Sequence, residues 1–440
     1  MKDNAFPPGY SFLASIVRTY KQIKDPIGTM QESMERFHGT YGVHLGRKKF
    51  IVTQDPSFIE YVLKTNHKNY HKSEFQTKQL GRFLGNGLLT SNGEFWLRQR
   101  RLIQPGFHME KIAALYRIIE DTSEKFIKDI PLSKPVDVYP LMNRLAFEIV
   151  INTLFNVHVP DGTRSELSNF IFEAQKFVIK DIRQPHKSWW FRLSGELDRN
   201  LRRSARARQI ISDIIKQRKE SGEKRNDLLD MLLDARYEDN GLPMEEDQMI
   251  DEILVLIIAG HETTANALSW TLYLLAHHDA VQRRLREETA RLSLREIVQH
   301  DYLAANIKES MRLYPPAWIS DRVALSDDHY KQFRYPAGTI VVLFYYGLHR
   351  DPQFWERPVE FYPERFLKNA DKDKGKIFFP FGAGPRLCIG NNFAMAEMAI
   401  FLQAFLKKFS VHPTSDKPSL YPLVTLKPDK IVLRIERNTA

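Results

Sequence analysis

A chain of 440 residues, 43% of them hydrophobic, is long enough to bury a large core, and by length alone it would suggest two or three domains. Its single cysteine excludes a disulfide framework and fits a reducing cytoplasm. The 64 basic and 54 acidic residues leave a net charge of +10, which raises the question of nucleic acid; but the basic residues are spread along segments such as 199–208 with no binding module beside them, the pattern of a solvated helix face.

In chain order, the first thirty residues hold no apolar run longer than 12–17, so neither a secretory signal nor a membrane anchor is expected, and no membrane partner. Strand-like alternation comes next, at Val43-His44-Leu45 and Phe50-Ile51-Val52-Thr53 around a Gly46-Arg47 turn. Trp96 and Arg100 lie four apart, on one face of a predicted helix. Helical periodicity then runs through 112–127, 141–154, 165–178 and 201–219.

The segment 251–278 is apolar on nearly every side, as a helix buried through the middle of a large domain would be. Its centre breaks that pattern: Ala259-Gly260-His261-Glu262-Thr263-Thr264 sets a helix-weakening glycine, a carboxylate and two hydroxyls together. A threonine hydroxyl bonded back to a carbonyl one turn earlier, with Gly260, can bend a helix and open a groove, and an acid beside an alcohol can deliver protons.

Glu309 and Arg312 lie three apart on a further helix, a spacing also present at Glu196/Arg199 and Glu288/Arg291, where a solvated surface pair is the sensible reading. Strand-like pieces return at 339–343 and 431–435. The expected fold is mainly α, one domain over 1–440, with strand-rich portions near 38–55, 330–346 and 409–437 and no linker to a second unit.

Cys388 closes the run Phe378-Phe379-Pro380-Phe381-Gly382-Ala383-Gly384-Pro385-Arg386-Leu387-Cys388-Ile389-Gly390. A thiolate ligand to iron needs a loop whose N–H groups are free to face the sulfur. Gly382, Gly384 and Gly390 supply that freedom, Phe381 a ring to cover a macrocycle and Arg386 a cation for a propionate.

The pattern Phe-x-x-Gly-x-Arg-x-Cys-x-Gly resembles the signature of the cytochrome P450 family. The resemblance runs over nearly the whole chain and implies that fold around haem b (iron protoporphyrin IX), with Cys388 as axial iron ligand. It implies Thr263 as the oxygen-cleft alcohol, Glu262 as the acid of a proton relay and Gly260 as part of the cleft. Trp96, Arg100, Arg322 and Arg386 would hold the propionates, beside Phe381 and Gly390. Glu309 and Arg312, followed by Leu313-Tyr314-Pro315-Pro316, would form with Arg365 of Pro363-Glu364-Arg365-Phe366 a buried charge triad behind the cysteine loop. The substrate pocket would draw on Phe83, Leu84, Leu88, Leu89, Leu256, Ala259, Trp318 and Ile319.

The implied activity is a monooxygenase that inserts one oxygen atom from O2 into a C–H bond, by hydroxylation or oxidative O-/N-demethylation. Fatty acids, terpenoids or carotenoids, and methyl ethers of an aromatic or sugar all suit that chemistry. No flavin or iron–sulfur segment is fused to the chain, so electrons from NAD(P)H would arrive through a ferredoxin or flavodoxin and its reductase, at a monomer whose Arg98, Arg101, Lys407 and Lys408 present a positive face. A peroxide-driven peroxygenase and a haem-based gas sensor are the alternatives. Neither needs the acid–alcohol pair.

Overall fold

The structure is a computed structural model that describes residues 5–132, 134–156, 160–367 and 372–438. Its axis is the helix Glu246–Ala276, whose 31 residues span about 46 Å at 1.5 Å per residue. Apolar side chains on every face explain its place: it packs against Val138–Phe155, Glu196–Ser221, Asp301–Leu313 and Asn391–Lys408, and all five helices contribute to one continuous apolar core.

The periodic segments form the helices Met109–Lys128, Val138–Phe155, Asp161–Arg183 and Glu196–Ser221, each overrunning its apolar repeat because caps, not periodicity, set the ends. Among the described residues no helix is long and apolar enough to cross a membrane.

The strands form small separate sheets, as expected of this fold class. The largest has the order Thr40–Leu45, Lys48–Thr53, Ile340–Leu343, Ser320–Ala324, Tyr70–His71, with Lys48–Thr53 and Ile340–Leu343 parallel and every other pair antiparallel. Gly46, at φ +59°, closes its first hairpin. A second sheet joins Phe409–Pro413, Val432–Arg437 and Val136–Asp137, and the hairpin Leu420–Pro422/Leu426–Pro428 reaches back to the central helix, where the Asn266 amide donates to Thr425 Oγ1 at 3.1 Å.

Candidate active site

Cys388 lies in a loop shaped by two left-handed glycines, Gly382 at φ +72° and Gly384 at φ +68°. A Cβ on Gly384 would fall 1.9 Å from the Leu63 carbonyl oxygen, so only glycine fits this close crossing, whereas one on Gly382 or Gly390 would meet nothing within 4 Å. The Cys388 N–H donates to the Phe381 carbonyl at 2.9 Å and folds the loop back on itself. The thiol keeps an exposed surface, although the protein around it disfavours its charged form. Burial pushes its pKa up, and the Gly390 N–H and the Arg100 guanidinium pull it down.

Cations converge beside it. Arg100 donates to the Leu387 carbonyl at 3.0 Å, Arg386 to Asn92 Oδ1 at 3.1 Å with its guanidinium 4.1 Å from the Trp96 ring, and Arg322 to the Asp321 carbonyl at 2.6 Å. Burial, then the charge of Arg322, lowers Arg386 to about 10. Two residues that sequence reasoning missed join them: Lys72, bonded to the carbonyls of Leu88 at 2.5 Å and Ser91 at 3.2 Å, and His71. Burial and then the Arg386 charge depress both, with Arg322 and Arg100 acting on Lys72 as well. None of the motifs read from the sequence spans 71–72, and a lysine buried in a loop leaves no signal in periodicity. Among the described residues these cations have no carboxylate within ion-pairing distance. Buried Lys72 among the half-buried Arg100, Arg322 and Arg386, with His71 held towards its neutral form, makes a cationic cluster beside a lone thiol that fits a macrocycle carrying iron and two carboxylates.

The central helix turns an open face inward. From Met249 to Leu272 its residues are buried, except that Ala259 is exposed and Leu256, Gly260 and Thr263 are half-exposed, the i, i+3, i+4, i+7 positions of one stripe. Thr263 Oγ1 donates to the Ala259 carbonyl at 2.7 Å. Thr264, next along, lies close enough to the buried Glu397 carboxylate on Asn391–Lys408, the helix that follows the cysteine loop, to oppose the rise that burial gives its pKa, so loop and stripe are one helix packing apart.

Glu262 points away from that stripe, into a buried polar pocket. The amide of Gln175, on Asp161–Arg183, donates to its carboxylate, Thr425 bonds to it, and Lys427 stands near with its ammonium 4.5 Å from the Phe172 ring. Burial raises the Glu262 pKa, and Gln175, Lys427 and Thr425 restrain the rise.

The structure brings Glu309, Arg312 and Arg365 together, all at most 5% exposed. Both Glu309 oxygens accept from Arg312 at 2.8 Å, Arg365 reaches them at 3.1 Å, and the Tyr362 N–H donates at 2.9 Å. Every remaining guanidinium bond goes to a carbonyl, of His349, Pro358 and Glu360 for Arg312 and of Glu356 and Arg357 for Arg365. The other two Glu-x-x-Arg copies show no such pair: Glu196 binds Lys180, and Glu288 binds Arg284.

The expected pocket residues divide. Leu89, Leu256, Ala259 and Ile319 retain exposure, while Phe83, Leu84, Leu88 and Trp318 are buried. Phe83 packs edge-on against Phe177, centroids 5.9 Å apart, and the Trp318 indole donates to the Leu423 carbonyl. The expected positive face also divides. Arg98 and Arg101 share the helix Gly93–Ile103 with Arg100, but Arg98 is tied to Asp239 at 3.1 Å, and Lys408 to Glu124. Lys407 sits about 24 Å along its helix from the loop, which removes it from the rim of the thiolate.

The fold is mainly helical, and its family match makes the chain an oxidoreductase of the monooxygenase class. The cytochrome P450 family model matches residues 6–435, and the chain belongs to that family. It is similar to the cyclooctat-9-en-7-ol 5-monooxygenase of Streptomyces melanosporofaciens, 29% identical with 84% of this chain and 82% of that protein covered. It is likewise similar to cytochrome P450 3A9 of Rattus norvegicus, 28% identical with 87% and 80% covered, and cytochrome P450 4d2 of Drosophila melanogaster, 28% identical with 90% and 85% covered.

Proposed function

We propose that this chain is a haem-thiolate monooxygenase that hydroxylates, or oxidatively demethylates, a small and largely apolar molecule with electrons from a separate ferredoxin or flavodoxin. The observation that carries this reading is the placement of the exposed Cys388 thiol beside Lys72, Arg100, Arg322 and Arg386, cations with no ion-pairing carboxylate among the described residues. Bound haem supplies the redox chemistry that activates O2.

The chain's residues do the rest. Cys388 donates electron density, tempered by the Gly390 N–H and Arg100. Lys72, Arg100, Arg322 and Arg386 would hold the two propionates, and Trp96 fixes the plane of the Arg386 guanidinium. Ala259 and Gly260 leave room along the helix, and the Thr263 hydroxyl, parked on the Ala259 carbonyl, turns to hold water or oxygen there. Glu262, whose pKa burial raises, passes a proton towards Thr263, and Gln175 sets the direction in which its carboxylate rests. Leu89, Leu256, Ala259 and Ile319 give the substrate an apolar contact surface.

A fatty acid, a terpenoid and a methyl ether all suit such a surface. A terpenoid alcohol is favoured by the name of the Streptomyces relative. The decisive measurement is the absorption of the reduced, carbon monoxide-bound protein, where the strongly red-shifted Soret band of thiolate ligation is expected and a globin-like band would overturn the reading. Titration with the three substrate classes, watching the low-spin to high-spin change, then ranks them.

A further inference from the structure

His349 is 0% exposed and plays no part in the chemistry above. Its backbone carbonyl accepts from Arg312 Nη1 at 2.7 Å, which attaches it to the charge triad. Its ring Nε2 faces the Phe379 N–H at 3.1 Å, which attaches it to the cysteine loop, where Cys388 N–H in turn holds the Phe381 carbonyl. A backbone N–H can only donate, so Nε2 is the acceptor and the ring's proton lies on Nδ1. Among the described residues that proton has no partner.

An orphan N–H in a core is costly, and an apolar side chain of similar size would avoid it. The ring sits among Phe378, Trp355 and Tyr345, with centroids 5.1, 6.5 and 6.4 Å away, surroundings that would suit a phenylalanine. The histidine is therefore held for the bond that its other nitrogen makes. The charged groups facing it are Arg312 from Asp301–Leu313 and Arg350, its neighbour in the chain. Both oppose a second proton, as burial does.

We propose that His349 is a positioning residue for the thiolate: in its neutral, Nδ1-protonated form it couples the Glu309–Arg312–Arg365 lock to the Phe378–Gly390 loop and keeps Cys388 where it ligates. A protonated ring would turn the acceptor into a donor against the Phe379 N–H, breaking the link. This rests on Cys388 being the iron ligand.

The test compares His349→Phe, which keeps ring and volume but removes the acceptor, with His349→Gln, whose side-chain oxygen can still accept. In the intact haem-loaded protein, His349→Phe should lose the thiolate-type carbon monoxide band at least about tenfold faster than wild type, and His349→Gln should stay within about threefold. Hydrogen exchange supplies a reading independent of the haem: the amide of Phe379 should lose protection in His349→Phe and keep most of it in His349→Gln. Equal rates and equal protection in both variants would overturn the proposal. Should either variant fail to fold, wild type labelled with 15N-histidine decides it: beside the neutral ring of buried His261, a second neutral ring, Nδ1-protonated, should persist at about pH 5, and its absence counts against the proposal. Failure of the underlying assignment looks different, because wild type would then show no thiolate band at all.

Discussion

Thr263 donates to the carbonyl of Ala259, a bond that bends a helix and costs stability unless the groove it opens is used. Thr263→Ala should therefore fold as well as wild type while releasing hydrogen peroxide in place of product. The measurement is peroxide formed per NADPH consumed, expected to rise severalfold; unchanged coupling would remove Thr263 from the relay. At this scale the sequence was readable where a motif broke a local rule, as in the glycine and carboxylate inside an apolar helix. It was silent where a residue's partner lies far along the chain. Gln175 meets Glu262 across 87 positions and His349 meets Phe379 across 30, and no spacing rule links either pair.

The loop between Tyr70 and the helix Gly93–Ile103 is held to its neighbours by carboxylates that accept from its backbone. Asp251 accepts from Asn86 N–H at 2.6 Å and Glu252 from Leu88 N–H at 2.8 Å, and Gly85, at φ +75°, lets the backbone come close enough. Burial raises Glu252 to about 7, and the charge of Asp251 adds to the rise against its bonds to Leu88 and Gln248. Because the folded pKa lies above the unfolded value of 4.5, the native state binds a proton that the unfolded chain has lost. Its contribution is fully present below pH 4.5 and is lost as pH rises through 7. At about 1.4 kcal/mol per pKa unit, this amounts to about 3 kcal/mol across that window. Glu252→Gln should lack that decline, so thermal melts at matched pH values should show wild type losing ground to the variant from acid to neutral pH. Parallel curves would contradict the assignment. The glycines of the cysteine loop make a second prediction: Gly384→Ala, which drives a methyl into the Leu63 carbonyl, should cost about 3 kcal/mol by denaturant unfolding, and Gly382→Ala, with open space, about 1 kcal/mol. Apolar periodicity located the long helices. It could not show that Lys48–Thr53 pairs in parallel with Ile340–Leu343, because nothing in either strand encodes so distant a partner.

Across the whole molecule, a net charge of +10 does not by itself put free cations beside the cysteine loop. Composition and resemblance pointed to four cations on one face, but charge counts cannot show pairing or distance along a helix. Arg98 is neutralised by Asp239, Lys408 by Glu124, and Lys407 lies a helix length from the loop. Arg101 remains: exposed, without an ion pair among the described residues, and next to the Arg100 that touches the Leu387 carbonyl. Exposed charges act over a Debye length of about 10 Å at 0.1 M salt, so only cations near the rim of the loop can steer an acidic ferredoxin to the thiolate side. Arg101→Glu should therefore slow reduction by such a donor about fivefold at low ionic strength, with the difference shrinking as salt is raised towards 0.5 M, since steering acts on association more than on the bound complex. Lys407→Glu makes the same change in net charge and should leave the rate nearly unaltered. Stopped-flow reduction across a salt series checks both. Equal slowing by the two variants would mean that the donor responds to total charge, and that the rim of the cysteine loop holds no special place in the encounter.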